Sequence, residues 1–323
     1  MKKIILSGMR PTGRLHLGHL VGALNNWQIL QDEYDCFFMV ADWHALLSEY
    51  KNPEIISEYI VDNVIDWLCC GINPQKATIF VQSHVHYHVE MAQVLGAITP
   101  LAWLERCPTY KEQLKELTGR ELTTYGFLGY PVLQSADILL YKASHVPVGM
   151  DQLPHLELTR EITRKFNQLY GNILVEPQPI LAKASKLLGI DGRKMSKSYD
   201  NFIGLADDEA TIRKKVQGMF TDPKRIKRTD RGHPEECNLC AYYEVFAPEL
   251  LDQVKDECCN AHIGCTDDKK RLADILVKRL EPIRQKRQEF NQATVYAIFD
   301  HGKKKAGELA GKTMAEVRRV MKL

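Results

Sequence analysis

Residues 36–41, Cys-Phe-Phe-Met-Val-Ala, form an unbroken apolar run, and no other feature constrains the fold as much. Six apolar residues without alternation fit a strand buried on both faces, as in the middle of a parallel sheet. Such a strand needs neighbours. Residues 3–6, ending at Ser7-Gly8, and residues 77–82 (Ala-Thr-Ile-Phe-Val-Gln) supply them. Between the three, residues 15–30 and 53–70 carry helical periodicity, the second opening on Pro53 at a first-turn position that tolerates proline. This β-α-β-α-β order with short connections predicts an α/β fold, a Rossmann-like doubly wound parallel sheet.

Further along, residues 87–106 read as a helix and residues from about 108 to 128 as a helical connecting insertion. Residues 132–141 read as an amphipathic helix, 145–149 (His-Val-Pro-Val-Gly) as a strand returning to the sheet, and 152–169 as another helix. From residue 206 strand signals nearly vanish, and the helical segments 267–289 and 313–321 are rich in Lys, Arg and Glu. The expected organisation is a Rossmann-like domain over 1–205 and an all-helical C-terminal domain over 206–323. The 323 residues suffice for two such units, and no internal repeat interrupts them.

Charge is nearly balanced, 43 basic against 41 acidic residues, for a net +2. Binding to nucleic acid by phosphate neutralisation alone usually needs a more lopsided count. An RNA partner recognised through local patches stays open, and residues 224–228 (Lys-Arg-Ile-Lys-Arg) are either such a patch or a solvated loop. No apolar run approaches the ~20 residues of a membrane span. The N-terminal run stops after Ile4-Ile5-Leu6, too short for a signal peptide, so a cytosolic, non-membrane protein is expected.

Two short patterns carry chemistry. His16-Leu17-Gly18-His19 stands where the first strand hands over to the first helix, the carboxyl edge at which open α/β sheets bind ligands. The two imidazoles, three residues apart, share one face of a helical turn and suit phosphate oxygens that gain charge in a transition state. Gly18 leaves room for a flat base to approach the backbone. Far downstream, Lys194-Met195-Ser196-Lys197-Ser198 offers two ammonium groups on a loop that could close over a triphosphate. Taken singly, the first pattern also reads as two capping histidines or half a metal site, and the second as a solvated basic loop. Their conjunction favours ATP chemistry.

These two patterns resemble the signatures of class I aminoacyl-tRNA synthetases. Within that class the chain resembles the tryptophanyl-tRNA synthetases, through residues 7–13 (Ser-Gly-Met-Arg-Pro-Thr-Gly), 136–141 (Ala-Asp-Ile-Leu-Leu-Tyr), 146–149, Asp151-Gln152, 157–160 and 194–198. The resemblance implies ATP-dependent activation of L-tryptophan to tryptophanyl-adenylate, with Mg2+, and transfer to the 3′-terminal adenosine of tRNA(Trp). It also implies a homodimer, with the helical domain contacting tRNA. His16, His19, Lys194 and Lys197 are the catalytic residues it implies. Arg10 (where relatives often carry Gln), Thr12, Gly18, His19 and Lys194, Met195, Ser196, Lys197 and Ser198 are the implied ATP contacts. Asp137 would accept the indole N–H, Tyr130 and Gln152 would meet the ammonium group, and Leu6, His44, Gln134, Val146 and Val148 would complete the pocket. His44 reads equally well as a satisfied core histidine.

Tyrosyl-tRNA synthetases are the nearest relatives, and Tyr130, Gln134 and Asp137 match the pattern with which they hold tyrosine. A phenol hydroxyl is donor and acceptor and wants two partners, the second of which those enzymes take from a tyrosine at the end of strand one. Leu6 stands there in this chain. An indole N–H needs one acceptor, so tryptophan is the expected substrate.

Nine cysteines divide into two groups. Cys36, Cys69, Cys70 and Cys107 read as small core residues. Cys237, Cys240, Cys258, Cys259 and Cys265 crowd together, and Cys237, Cys258 and Cys265 resemble three ligands of the [4Fe–4S] cluster of some bacterial tryptophanyl enzymes. Asp268 stands at the fourth position, where Cys240 or Cys259 would have to substitute. Iron–sulfur, zinc and a set of free thiols are all open readings, with Cys237, Cys240, Cys258 and Cys265 the candidate ligands.

Overall fold

The computed structural model of the chain describes residues 2–108, 110, 123–181, 187–193, 195 and 199–323. Five parallel strands form one sheet: β1 (Ile4–Met9), β2 (Asp35–Val40), β3 (Ala77–Val81), β4 (His145–Val148) and β5 (Gln178–Leu181), in the order β3-β2-β1-β4-β5. The apolar run that opened the sequence reading is buried throughout as Cys36–Val40 of β2, between β1 and β3. The edge strand β5 gave no comparable signal. Its Gln-Pro-Ile-Leu sequence is mostly exposed, and a sheet edge tolerates the proline.

Helices cover both faces. After β1 come α1 (Leu17–His19), a π-helical turn at Leu20–Leu24 and α2 (Asn25–Glu33), in place of the single helix expected over 15–30 and running three residues past its end. After β2 come α3 (Asp42–Glu49), which the sequence reading passed over, and α4 (Glu54–Cys69). The helix expected over 87–106 is two, α5 (Tyr87–Ile98) and α6 (Leu101–Arg106). Pro100 forces Thr99 into an extended conformation and ends the first. Next is α7 (Tyr125–Leu140), which starts inside the expected insertion; most of that insertion, residues 109 and 111–122, lies outside the described residues. It is no amphipathic helix: ten of its side chains are buried, because it packs between α5 and α8 (Leu153–Tyr170).

Beyond residue 206 the described structure is helical, as expected: α9 (Glu209–Gln217), α10 (Asn238–Phe246), α11 (Leu251–Cys259), α12 (Cys265–Arg287) and α13 (Gln292–Met321). This tract does not pack as one separate body. Helices α9 to α12 pack on one another, whereas the 30-residue α13 returns to lie on β3. A Cβ at Gly302 would come 1.8 Å from the Ile79 carbonyl oxygen, so glycine is what allows this contact. Ala306, Ala310, Met314 and Val317 then join Phe80, Met91 and Leu95 in one apolar cluster. On the other side a second cluster runs unbroken from Trp27, Phe38 and Trp67 to Tyr243, Leu272 and Leu276. Arg287 of α12 clamps Asp62 and Asp66 of α4. No helix among the described residues is long and apolar enough to cross a membrane.

Candidate active site

Where the chain leaves β1, His16 takes extended backbone angles (φ −138°, ψ 173°) before α1 begins. Its N–H donates to Nδ1 of His19 at 3.3 Å, and the two rings lie 3.9 Å apart on one face of the turn. The Thr12 N–H donates to the Arg10 carbonyl at 2.9 Å and tightens the preceding loop.

The segment after the second signature runs antiparallel to the first. The Leu17 N–H donates to the Ile203 carbonyl and the Leu205 N–H to the Leu15 carbonyl, both at 3.0 Å. His16 also packs on the Phe202 ring, with centroids 5.0 Å apart. A Cβ on Gly18 would sit 3.0 Å from the His16 ring and 3.1 Å from the Met195 sulfur, so a side chain there would crowd both. Met195 therefore lies against the first signature. Lys194, Ser196, Lys197 and Ser198 lie outside the described residues.

A cavity of about 380 Å³ opens between β1 and β4, the point where the strand connections diverge. Leu6, His44, Tyr130, Gln134, Asp137, Val146, Val148 and Gln152 all line it, so every residue expected to meet the amino acid borders one space. Arg10 lines it as well. Gly22 and Ala23 reach it from the π-helical turn.

Asp137 is 2% exposed and holds the densest hydrogen bonding in the cavity wall. Its Oδ2 accepts from His44 Nε2 at 2.7 Å, and its Oδ1 accepts from Gln82 Nε2 at 2.8 Å and His88 Nδ1 at 2.6 Å. Burial works to raise this carboxyl, but the charge and hydrogen bond of His44, with the hydrogen bond of His88, outweigh it and hold the group below its usual range. His44, left open in the sequence, is thus an Asp137 partner on α3. Gln82 and His88 were missed. Gln82 directly follows β3, a carboxyl-end position that the rule for ligand sites in parallel sheets would have flagged. Nothing in the spacing separates the buried His88 from the exposed His84 and His86.

The second polar group is Tyr130, whose hydroxyl lies 3.0 Å from His155 Nε2, while His155 Nδ1 lies 3.4 Å from the Cys107 thiol. Burial pushes the Tyr130 hydroxyl up and lowers His155 to about 4, so this pair is uncharged near neutral pH. His155 also lines the cavity and was not anticipated.

The family of class I tRNA synthetases for tryptophan and tyrosine matches residues 2–281. The tryptophan–tRNA ligase of Thermotoga maritima is 50% identical over 324 residues, covering 99% of each chain. That of Aquifex aeolicus is 40% identical, again over 99% of both. The chain belongs to the tryptophan–tRNA ligases. Among solved structures, the Campylobacter jejuni tryptophanyl-tRNA synthetase with ADP and tryptophan superimposes with a TM-score of 0.88 at 29% identity, over 99% of this chain and 100% of that one. The Mycoplasma pneumoniae synthetase gives 0.83 at 27% identity, over 100% of this chain and 98% of that one.

Of the three readings of the cysteine group, the residues present do not fit a metal site. Among the described residues no three His, Cys, Asp or Glu side chains converge as a ligand set. The Arg225 guanidinium sits against the thiols in question, with Nη1 3.7 Å from Cys258 Sγ and 4.0 Å from Cys265 Sγ. Its Nη2 donates to the Arg228 and Ile263 carbonyls at 3.0 and 2.7 Å. The guanidinium thus donates to both would-be ligands, and no third thiol is placed to complete a set with them among the described residues. Asp268 accepts from the Tyr243 hydroxyl at 2.8 Å and lies 3.4 Å from Arg271. The Cys240 thiol donates to Cys237, which lowers Cys237 and raises Cys240.

Proposed function

We propose that the cavity between β1 and β4 is where this chain performs its family's two-step reaction. The tryptophan carboxylate attacks the α-phosphorus of ATP, giving tryptophanyl-adenylate and pyrophosphate. The tryptophanyl group then passes to the 3′-terminal adenosine of tRNA(Trp), and AMP leaves. No covalent enzyme intermediate is needed, so the residues act by positioning and charge.

The Asp137 carboxylate carries this reading. An ionised carboxylate has about four acceptor positions, and His44, Gln82 and His88 occupy three. One remains, on Oδ2, which matches the single N–H of an indole. The apolar Leu6, Val146 and Val148 suit the ring, and Leu6 offers no partner for a phenol oxygen. Tyr130 and Gln152 would meet the ammonium group, with Gln134 completing the pocket; a neutral His155 leaves a Tyr130 oxygen lone pair for the ammonium.

His16 and His19 would bind phosphate oxygens, with Arg10 at the cavity rim and Thr12 and Gly18 at the nucleotide. Lys194, Lys197 and Ser198, with Met195 and Ser196, would close over the triphosphate; the contact of Met195 with Gly18 supports this pairing. Mg2+ bound with ATP neutralises phosphate charge. The thiols around Arg225 have no part in the reaction.

The tract from 206 onward would supply tRNA contacts, and a homodimer is supported by the exposed apolar Val89, Leu101 and Tyr125 on the contacting helices α5, α6 and α7. Pyrophosphate–ATP exchange with each amino acid in turn tests the central claim. Exchange should depend on tryptophan, and exchange with tyrosine alone, or with none, would overturn it.

A further inference from the structure

We infer that His88, which is outside the cavity lining, is the positioning residue that leaves Asp137 a single acceptor position and so sets the preference for a substrate bearing one ring N–H. The inference rests on the reading of Asp137 as the indole acceptor. Asp137 on α7 and Tyr141, which caps that helix, stand four residues apart. His88, on α5 and fully buried, is wedged between them, with Nδ1 2.6 Å from Asp137 Oδ1 and Nε2 2.8 Å from the Tyr141 hydroxyl.

Hydrogen-bond roles along this line follow from chemistry. Asp137, held ionised, can only accept, so Nδ1 of His88 carries a proton. Tyr141 is fully buried and burial pushes its hydroxyl up, so it stays protonated and donates to Nε2. One neutral tautomer of His88 satisfies both neighbours. The second position on Oδ1 is filled by Gln82, whose own amide is oriented because its Oε1 accepts from the His44 N–H at 3.4 Å. Oδ1 is thereby saturated and the carboxylate cannot turn. A position is left on Oδ2 alone, where His44 holds one of two. Without the His88 donor, Oδ1 would regain a position, and water could compete for the carboxylate.

The test compares tryptophan with 3-benzothienylalanine, whose ring has sulfur in place of N–H, in pyrophosphate–ATP exchange. The wild type should prefer tryptophan by roughly tenfold or more in kcat/KM, the range for loss of a hydrogen bond to a charged group. In His88→Leu that preference should collapse to about twofold or less, through a higher KM for tryptophan with the KM for ATP unchanged. His88→Asn, whose amide takes the place of Nδ1–H, should restore it. His88→Gln, whose amide reaches Tyr141 instead, should not, and the Asn/Gln pair decides the matter if the leucine variant does not fold. A wild type that shows no preference would remove the Asp137 contact itself. A preference retained in His88→Leu, or equal in the Asn and Gln variants, would overturn the inference about His88.

Discussion

Asp137 and Asp268 are both carboxylates drawn into the interior on helices, and their surroundings treat them oppositely. Three donors converge on Asp137 and hold it below the usual carboxylate range, at the wall of a cavity. Burial dominates at Asp268 and raises it, and its partners Tyr243 and Arg271 belong to the packed helices α10 and α12. A buried carboxylate kept charged and facing open space is built to receive a donor from outside. One whose neighbours are all internal joins helices. The same contrast separates Asp137 and His44 from the thiols around Arg225: both groups look functional in the sequence, and Asp137 and His44 border the cavity between β1 and β4.

The largest expected effect tests the first half of this contrast. Asp137→Asn should lower tryptophan-dependent exchange roughly hundredfold, by analogy with sites whose buried polar groups lose their match. Unchanged kinetics would end the indole assignment. Asp137→Ala is the poorer probe, because it orphans the buried donors Gln82 and His88 as well as the half-buried His44 and should also destabilise the fold, by about 1–3 kcal/mol at most for each buried donor. In the thiol region, Arg225→Ala should lower unfolding stability by about 1–2 kcal/mol, from loss of charge-assisted hydrogen bonds, while exchange at 25 °C stays at the wild-type level. A loss of exchange without loss of stability would join this region to the active site.

A smaller effect is expected at the seam between the two regions. Burial pushes Asp66 up to about 7 despite its contact with Arg287. A raised carboxyl adds stability that is fully present below its unfolded value near 4 and is lost as pH rises to about 7. Thermal unfolding of Asp66→Asn should lack that part of the wild-type decline between these limits; parallel curves would refute it. Smallest of all, the double variant Cys258→Ser, Cys265→Ser should match wild type in exchange, and anoxically purified wild type should carry no stoichiometric iron or zinc. A brown protein, or a variant that fails to accumulate with its metal, would reverse the comparison.

Much of this was legible along the chain. The apolar run of β2 needs burial on both faces, and that requirement alone implies strands on either side of it. His16, Gly18 and His19 are near in sequence, so a single helical turn brings them together. The eight candidate pocket residues came from motif resemblance, and all eight line one cavity. Gln82, His88 and His155 escaped because each acquires its role from a partner far away in sequence, and Asp137 has no sequence-local mark of its three donors. Edge strand β5 escaped for the opposite reason, since an exposed strand needs no apolar run.

What the residue order settled by itself was the doubly wound sheet, the two signatures and the chemistry they imply, because periodicity and short motifs act over a few turns. The tertiary structure decided how the distant parts meet. It brought residues 203–205 onto the first signature, laid α13 across β3 through Gly302, and put Arg225 against thiols that the sequence offered as metal ligands. It also filled all but one of the acceptor positions of Asp137. Such contacts depend on backbone approach and on which partners remain for a buried polar group, and neither is written in local sequence.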